Sequence, residues 1–193
     1  GRGSTPVHKM FPAGSGPAAA QFTGTEFIER LSKVNLLYQP GSAWDYGFSI
    51  DVLGLIIEME SGQSLGAYLN DRIWKPLGMV DTGFVVPPEK VKRYARALPN
   101  DPDTGKPQAF ADRTKPAKFE CGGGCAVSTA ADYIRFGQML LNRGRFGDTR
   151  ILASRTVDYM TADHLGPGIQ NFVEAADPSK AGYGFGLTMA VRP

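Results

Sequence analysis

The sequence predicts a mixed α/β (α+β) chain weighted towards helix, and three observations carry that expectation. Between residues 26 and 74 apolar side chains recur at helical spacing in three segments. A further segment of the same period follows the triple glycine at 122–124. Residues 182–191 then alternate small and large side chains, as a strand does. With 193 residues, 42% of them hydrophobic, the chain is long enough for a sizeable core in one or two domains.

Taken in order, residues 1–24 are rich in Gly, Pro, Ser and Ala and hold no sustained period, so they read as loop, a candidate cleft wall without a motif. Gly1-Arg2-Gly3 does not complete a dinucleotide fingerprint, because no strand precedes it and the third glycine is missing. A first helix is expected from about Glu26 to Val34, with Phe27, Ile28, Leu31 and Val34 on one face and Thr23 or Thr25 as its cap. Pro40-Gly41 breaks the chain. The second helix, about Ser49 to Ser61, is apolar on most sides and is expected to be buried, with Gly62 as a left-handed cap. Ser64 caps a third helix to about Trp74, which Pro76 stops.

From Asp81 to Glu120 the pattern is irregular. Short strands are expected at Gly83–Val86 and Tyr94–Leu98, and Asp101–Lys106 reads as a hairpin turn rather than a calcium loop, since the later acidic ligands are missing. Thr129 with Asp132 forms a capping pair that opens a helix to about Asn142, and Gly144 lies just past its end. A shorter helix is expected from Ser154 to Thr161, then loose chain over residues 166–180, then the terminal strand.

Bulk properties exclude some function classes. The net charge of +2 comes from 21 basic and 19 acidic residues that are well mixed, which offers nucleic acid no basic surface. No apolar run approaches the roughly 18 residues that span a bilayer, so no membrane partner is expected. Neither an initiator Met nor a signal-type segment is visible, and the chain reads as the interior of a longer one. Cys121 and Cys125 flank three glycines; two free thiols are expected, because a bridge this short needs a tightly curled loop. With only two histidines, far apart, and neither CxxC nor HExxH, no metal site is expected.

Several residues invite a chemical reading and are better explained otherwise. Gly47-Phe48-Ser49 begins like a nucleophile elbow, but Asp51 stands where the second glycine belongs, and Ser49 reads as a helix cap with Asp51 in the first turn. Nothing places His8 or His164 beside a serine. No serine has a lysine three residues on, the spacing at which a neutral lysine takes a serine proton. Lys180-Ala181-Gly182 only faintly echoes the Lys-Thr-Gly strand of serine–lysine enzymes and reads as loop. The triple glycine is explained by close backbone packing rather than by an anion nest, since no phosphate-loop lysine accompanies it. Tyr46 remains: a turn, two aromatics and a helix behind them can hold a phenol at a cleft mouth. As a base it needs nearby cations, because its ordinary pKa is about 10.

The stretch from Pro40-Gly41 through Trp44-Asp45-Tyr46 to Val52-Leu53-Gly54 resembles the second motif region of the serine β-lactamase-like superfamily, which includes class C β-lactamases, DD-peptidases and family VIII carboxylesterases. The resemblance continues through Ser61-Gly62-Gln63-Ser64, Pro76-Leu77-Gly78-Met79, Val127-Ser128-Thr129-Ala130-Ala131-Asp132 and Gly182–Leu187, in order, over about residues 26–190. It implies a β-lactamase/transpeptidase-like fold, a helical region beside an α/β sandwich. Residues 1–170 would supply mainly the helical part, and 171–193 the start of the return to the sandwich. It also implies a serine hydrolase working through an acyl-enzyme, with no metal or organic cofactor and a small-molecule ester or lactam as substrate.

Only the tyrosine of the family's catalytic set carries over, onto Tyr46. The Ser-x-x-Lys nucleophile and the third motif would lie outside residues 1–193. Trp44 and Phe48 are expected to line the substrate pocket. Phe48 stands where lactamases and peptidases usually place Asn, and a phenyl ring cannot hydrogen-bond a substrate amide. That departure favours ester over lactam or peptide. A non-catalytic homologue that binds a ligand in the same cleft is the rival expectation.

Overall fold

The computed structural model describes residues 6–108 and 111–192; Gly1-Arg2-Gly3 and Pro193 lie outside them. Helices enclose a core that includes Phe27, Leu65, Trp74, Leu77, Phe119 and Met139. The opening segment, expected as loop, carries a 3-10 turn at His8–Met10 and a helix α1, Ser15–Gln21. Ala18 and Ala19 of α1 are buried, and the Lys118 amide donates to the Ala19 carbonyl at 2.8 Å. A helix that packs through alanines shows no large apolar period, which hides it from a sequence reading.

Helix α2, Gly24–Leu31, starts at the Thr23 cap: Thr23 Oγ1 accepts from Glu26 N, and the Glu26 carboxylate accepts from Thr23 N. A short strand β1, Ala43–Trp44, leads through the Asp45–Phe48 turn into α3, Ser49–Ser61. Gly62 closes α3 in the left-handed region at φ 67°, as its sequence position requires.

Two expectations about α3 are corrected. Phe48, not Ser49, occupies the N-cap position, and no side chain caps it. The helix is also not buried all round, for Leu53 is 46% and Met59 73% exposed. Its inner side is narrow because Gly54 and Asp51 let other backbone come close there. A Cβ on Gly122 would lie 2.5 Å from the Ile50 carbonyl oxygen, and Gly122 in turn lies against Gly54. Close packing is thus what Gly122 serves; Gly123 lies against the Asp51 carboxylate, and at Gly124 it is the backbone, at φ 144°, that favours glycine, since a Cβ there would meet nothing.

Ser64 caps α4, Leu65–Leu69, which runs on as a π-helical turn over Asn70–Trp74. The expected strands in the irregular middle do not form as such. Gly83 makes an isolated bridge to Val127, and residues 94–98 are not in a strand. The prolines at 87 and 88 instead begin a 3-10 turn, Pro88–Arg93. The Asp101–Lys106 turn forms as expected: Asp101 N donates to Lys106 O at 2.9 Å, and Asp101 Oδ1 accepts from Asp103 N and Thr104 N.

Cys121 and Cys125 are joined as a disulfide, which corrects the expectation of two thiols. Three glycines without side chains let the loop curl until the two Cα atoms stand 5.3 Å apart, inside the usual range for a bridge. Helix α5, Ala130–Leu141, follows its Thr129 cap; Gly144 at φ 89° turns the chain into a β2–β3 hairpin, Arg145–Phe146 with Thr149–Arg150. Helix α6 covers Ser154–Met160.

The segment expected to be loose is ordered by pairing with distant chain. Strand β4, Gln170–Asn171, lies parallel to β1, with Gln170 N donating to Ser42 O and Phe172 N to Trp44 O. Helix α7, Val173–Ala176, and a 3-10 turn at Pro178–Lys180 follow. The terminal run folds back on itself as the β5–β6 hairpin, Gly184–Phe185 with Ala190–Val191, rather than as one strand. The result is a mixed α+β fold dominated by helices with small sheets. No helix among the described residues is long and apolar enough to cross a membrane.

Candidate active site

A cleft of about 810 Å³ opens where the Trp44–Phe48 turn meets three other pieces of chain. The Pro12–Ser15 segment forms one wall. The β1–β4 pairing carries Phe172 and α7 in as the second, and the β5–β6 hairpin brings Phe185 and Thr188 as the third. All three residues singled out from the sequence, Trp44, Tyr46 and Phe48, line this cleft.

Their environments differ in ways that separate packing from availability. The Trp44 ring lies 4.3 Å from Phe185 and meets the Tyr46 ring edge-on at 6.5 Å. Phe48 packs edge-on to Phe27 at 5.5 Å and stacks with Phe11 at 6.3 Å, so it links the cleft floor to the core. Tyr46 is 61% exposed, and among the described residues its hydroxyl has no hydrogen-bond partner. A tyrosine kept for structure usually buries its ring and pairs its hydroxyl. This one does neither.

Cations are sparse here. Lys180, read as loop from the sequence, lines the cleft but reaches Asp177 at 4.0 Å and the Tyr183 ring at 5.6 Å. No described cation touches the Tyr46 hydroxyl. Ser49 is the exposed first residue of α3 and is not among the residues that line the cleft. His164 Nε2 lies 2.7 Å from the Tyr159 carbonyl, within α6 and its exit, away from the cleft lining. His8 does line the cleft. Among the described residues, no group of three or more His, Cys, Asp or Glu is placed to hold a metal ion.

Two further residues escaped the sequence reading. Asp51, assigned to the helix dipole, is 1% exposed and binds across the structure: Oδ2 accepts from Ser15 Oγ at 2.7 Å and Oδ1 from Gly123 N at 2.9 Å. An acid inside an otherwise apolar helical run was the available signal for it. Ser15 carried none, because its partner stands in a different element.

Similarity to known proteins agrees with this architecture. The chain matches the beta-lactamase family over residues 8–193. It is 31% identical over 192 residues to Protein Rv1367c of Mycobacterium tuberculosis, covering 96% of this chain and 45% of that protein. To Esterase EstB of Burkholderia gladioli it is 30% identical over 206 residues, covering 98% of this chain and 49% of that one. The chain therefore spans about half the length of the curated relatives it matches. Among solved structures, EstCE1, described as a hydrolase with promiscuous acyltransferase activity, superposes with a TM-score of 0.72 at 24% identity, over 97% of this chain and 50% of that one. Simvastatin synthase from Aspergillus terreus superposes with a TM-score of 0.64 at 20% identity, over 99% and 53%. Those two likenesses bear on the fold. The family match spans residues 8–193, nearly all of the chain, and the chain belongs to the beta-lactamase family.

Proposed function

We propose that the full-length protein is a serine hydrolase acting on carboxylic esters through an acyl-enzyme, with its nucleophilic serine and activating lysine outside residues 1–193. On this reading residues 1–170 contribute mainly the helical region and residues 171–193 the start of the sandwich. The lysine takes the serine's proton as the serine attacks the ester carbonyl; that proton passes through Tyr46 to the departing alkoxide as the C–O bond breaks, and water then hydrolyses the acyl-enzyme, releasing the acid and restoring the serine proton. Trp44 and Phe48 form apolar walls for the acyl or alcohol group. The chemistry asks for no metal or organic cofactor.

The observation that carries the proposal is the exposed Tyr46 hydroxyl, unpartnered among the described residues, at the edge of an aromatic cleft, within a family match over residues 8–193. The cation that a phenolate needs would come from the lysine beside the nucleophile, since none of the described residues supplies it. Preference for esters over lactams rests on Phe48. Its ring is held by Phe27 and Phe11, so the position offers a substrate amide no hydrogen bond. The 30% identity to a protein named as an esterase supports the same preference.

The test compares turnover of p-nitrophenyl butyrate with that of a chromogenic cephalosporin by the full-length protein. Faster hydrolysis of the ester is expected. A cephalosporin rate above the ester rate would move the assignment to lactam hydrolysis, and turnover of neither would favour the non-catalytic homologue.

A further inference from the structure

Ser15 is a cleft residue whose hydrogen-bonding role the fold restricts to one direction. Its hydroxyl donates to Asp51 Oδ2 at 2.7 Å. The other carboxylate oxygen, Oδ1, accepts the Gly123 amide at 2.9 Å, and Asp51 is buried to 1% exposure. A Cβ at 123 would lie 2.5 Å from Asp51 Oδ2, so a larger residue there would displace the carboxylate from this arrangement. An ionised carboxylate only accepts, whereas a serine hydroxyl has a single proton and two lone pairs. With that proton committed to Asp51, Ser15 offers the cleft oxygen lone pairs alone. Turning the proton towards a ligand would leave a buried carboxylate oxygen without its partner, the costlier arrangement.

We propose that Ser15 is a specificity-determining residue that, through its bond to Asp51, selects substrates bearing a hydrogen-bond donor, a hydroxyl or an N–H, on the part lodged against the Pro12–Ser15 wall. A group that can only accept, such as an ether oxygen, meets a lone pair there and is disfavoured. The selectivity for ester substrates rests on the hydrolase reading above; the preference in binding does not.

The polarity of the pair makes a sharp experiment possible. In Asp51→Asn the Gly123 amide still demands an oxygen at the Oδ1 position, which leaves the side-chain NH2 facing Ser15. That NH2 donates to Ser15 Oγ and frees the serine proton for the cleft. Asp51→Asn should therefore turn the preference from donor to acceptor, and Ser15→Ala should erase it.

The full-length protein is assayed with p-nitrophenyl esters of 2- and 3-hydroxybutyrate and of the matching methoxybutyrates. Binding of the corresponding p-nitroanilides, followed by quenching of tryptophan fluorescence, gives the same comparison without turnover. At the position that faces Ser15, the hydroxy compound should be favoured over the methoxy compound by about tenfold, the worth of one hydrogen bond. The ratio should fall towards one in Ser15→Ala and below one in Asp51→Asn. If Asp51→Asn fails to fold, the loss of the ratio in Ser15→Ala still supports the proposal. A ratio that is the same in wild type and Ser15→Ala, at both positions and in both readouts, overturns it. If no ester is hydrolysed while the anilides still show a Ser15-dependent preference, the hydrolase reading falls and this inference stands.

Discussion

Tyr46 stands at the cleft edge with its ring exposed and its hydroxyl unpartnered among the described residues, so its removal should cost chemistry rather than folding. Tyr46→Phe is expected to lower kcat of the full-length protein on a short-chain ester by at least about a hundredfold, the usual scale for a positioned proton donor, with little change in thermal midpoint. A rate near wild type would return Tyr46 to a packing role. At this scale the sequence was informative wherever a residue's neighbours in the chain are also its neighbours in space. Trp44, Tyr46 and Phe48 share one turn and reach one cleft together. Ser15 and Asp51 were illegible as a pair, because nothing local links a serine in a Gly/Pro/Ala segment to an acid inside a later helix.

Among the elements, α3 and the Cys121–Cys125 loop support each other through backbone that side chains would hold apart. Gly122→Ala would set a Cβ 2.5 Å from the Ile50 carbonyl, which is backbone and cannot swing aside. The variant should lose about 1–3 kcal/mol of stability, read as a lower thermal midpoint. A second element is tied down by charge. Hydrogen bonds from Arg93 and Lys90, followed by burial acting the other way and by the charges of the two cations, hold the Asp81 carboxyl at about 2, below its ordinary 3.8. A carboxyl depressed in the folded state stabilises fully above its unfolded value and loses that effect as the pH falls through its folded one. Wild type should therefore exceed Arg93→Ala in stability at neutral pH, and the gap should close between about pH 4 and about pH 2. A gap that persists below that window would show that the Arg93 contribution is not ionic. Helix bounds were readable where caps mark them, as at Thr23, Ser64 and Thr129. Strand pairing was not, because β1 and β4 each contribute only two residues and the register between them is set by tertiary contact.

For the whole molecule, the helical weighting and the family were legible from several short motifs in the right order, whereas the cleft was legible only in part. Its walls come from residues 12–15, 172–180 and 185–190; the opening segment was expected as a cleft wall and 185–190 as strand, but 172–180 carries no period, and what brings the three together is pairing across the chain. The sequence also overstated burial: α3 is apolar on most sides, yet Leu53 and Met59 face outward in this structure. On the reading proposed above, Tyr46 serves a nucleophile supplied from beyond residues 1–193. The most direct measurement is fluorophosphonate labelling of the full-length protein, with the modified residue located by peptide mass spectrometry. A single adduct is expected, on a serine outside residues 1–193 that is followed three positions later by a lysine. No adduct, or an adduct on a serine within these residues, would contradict it.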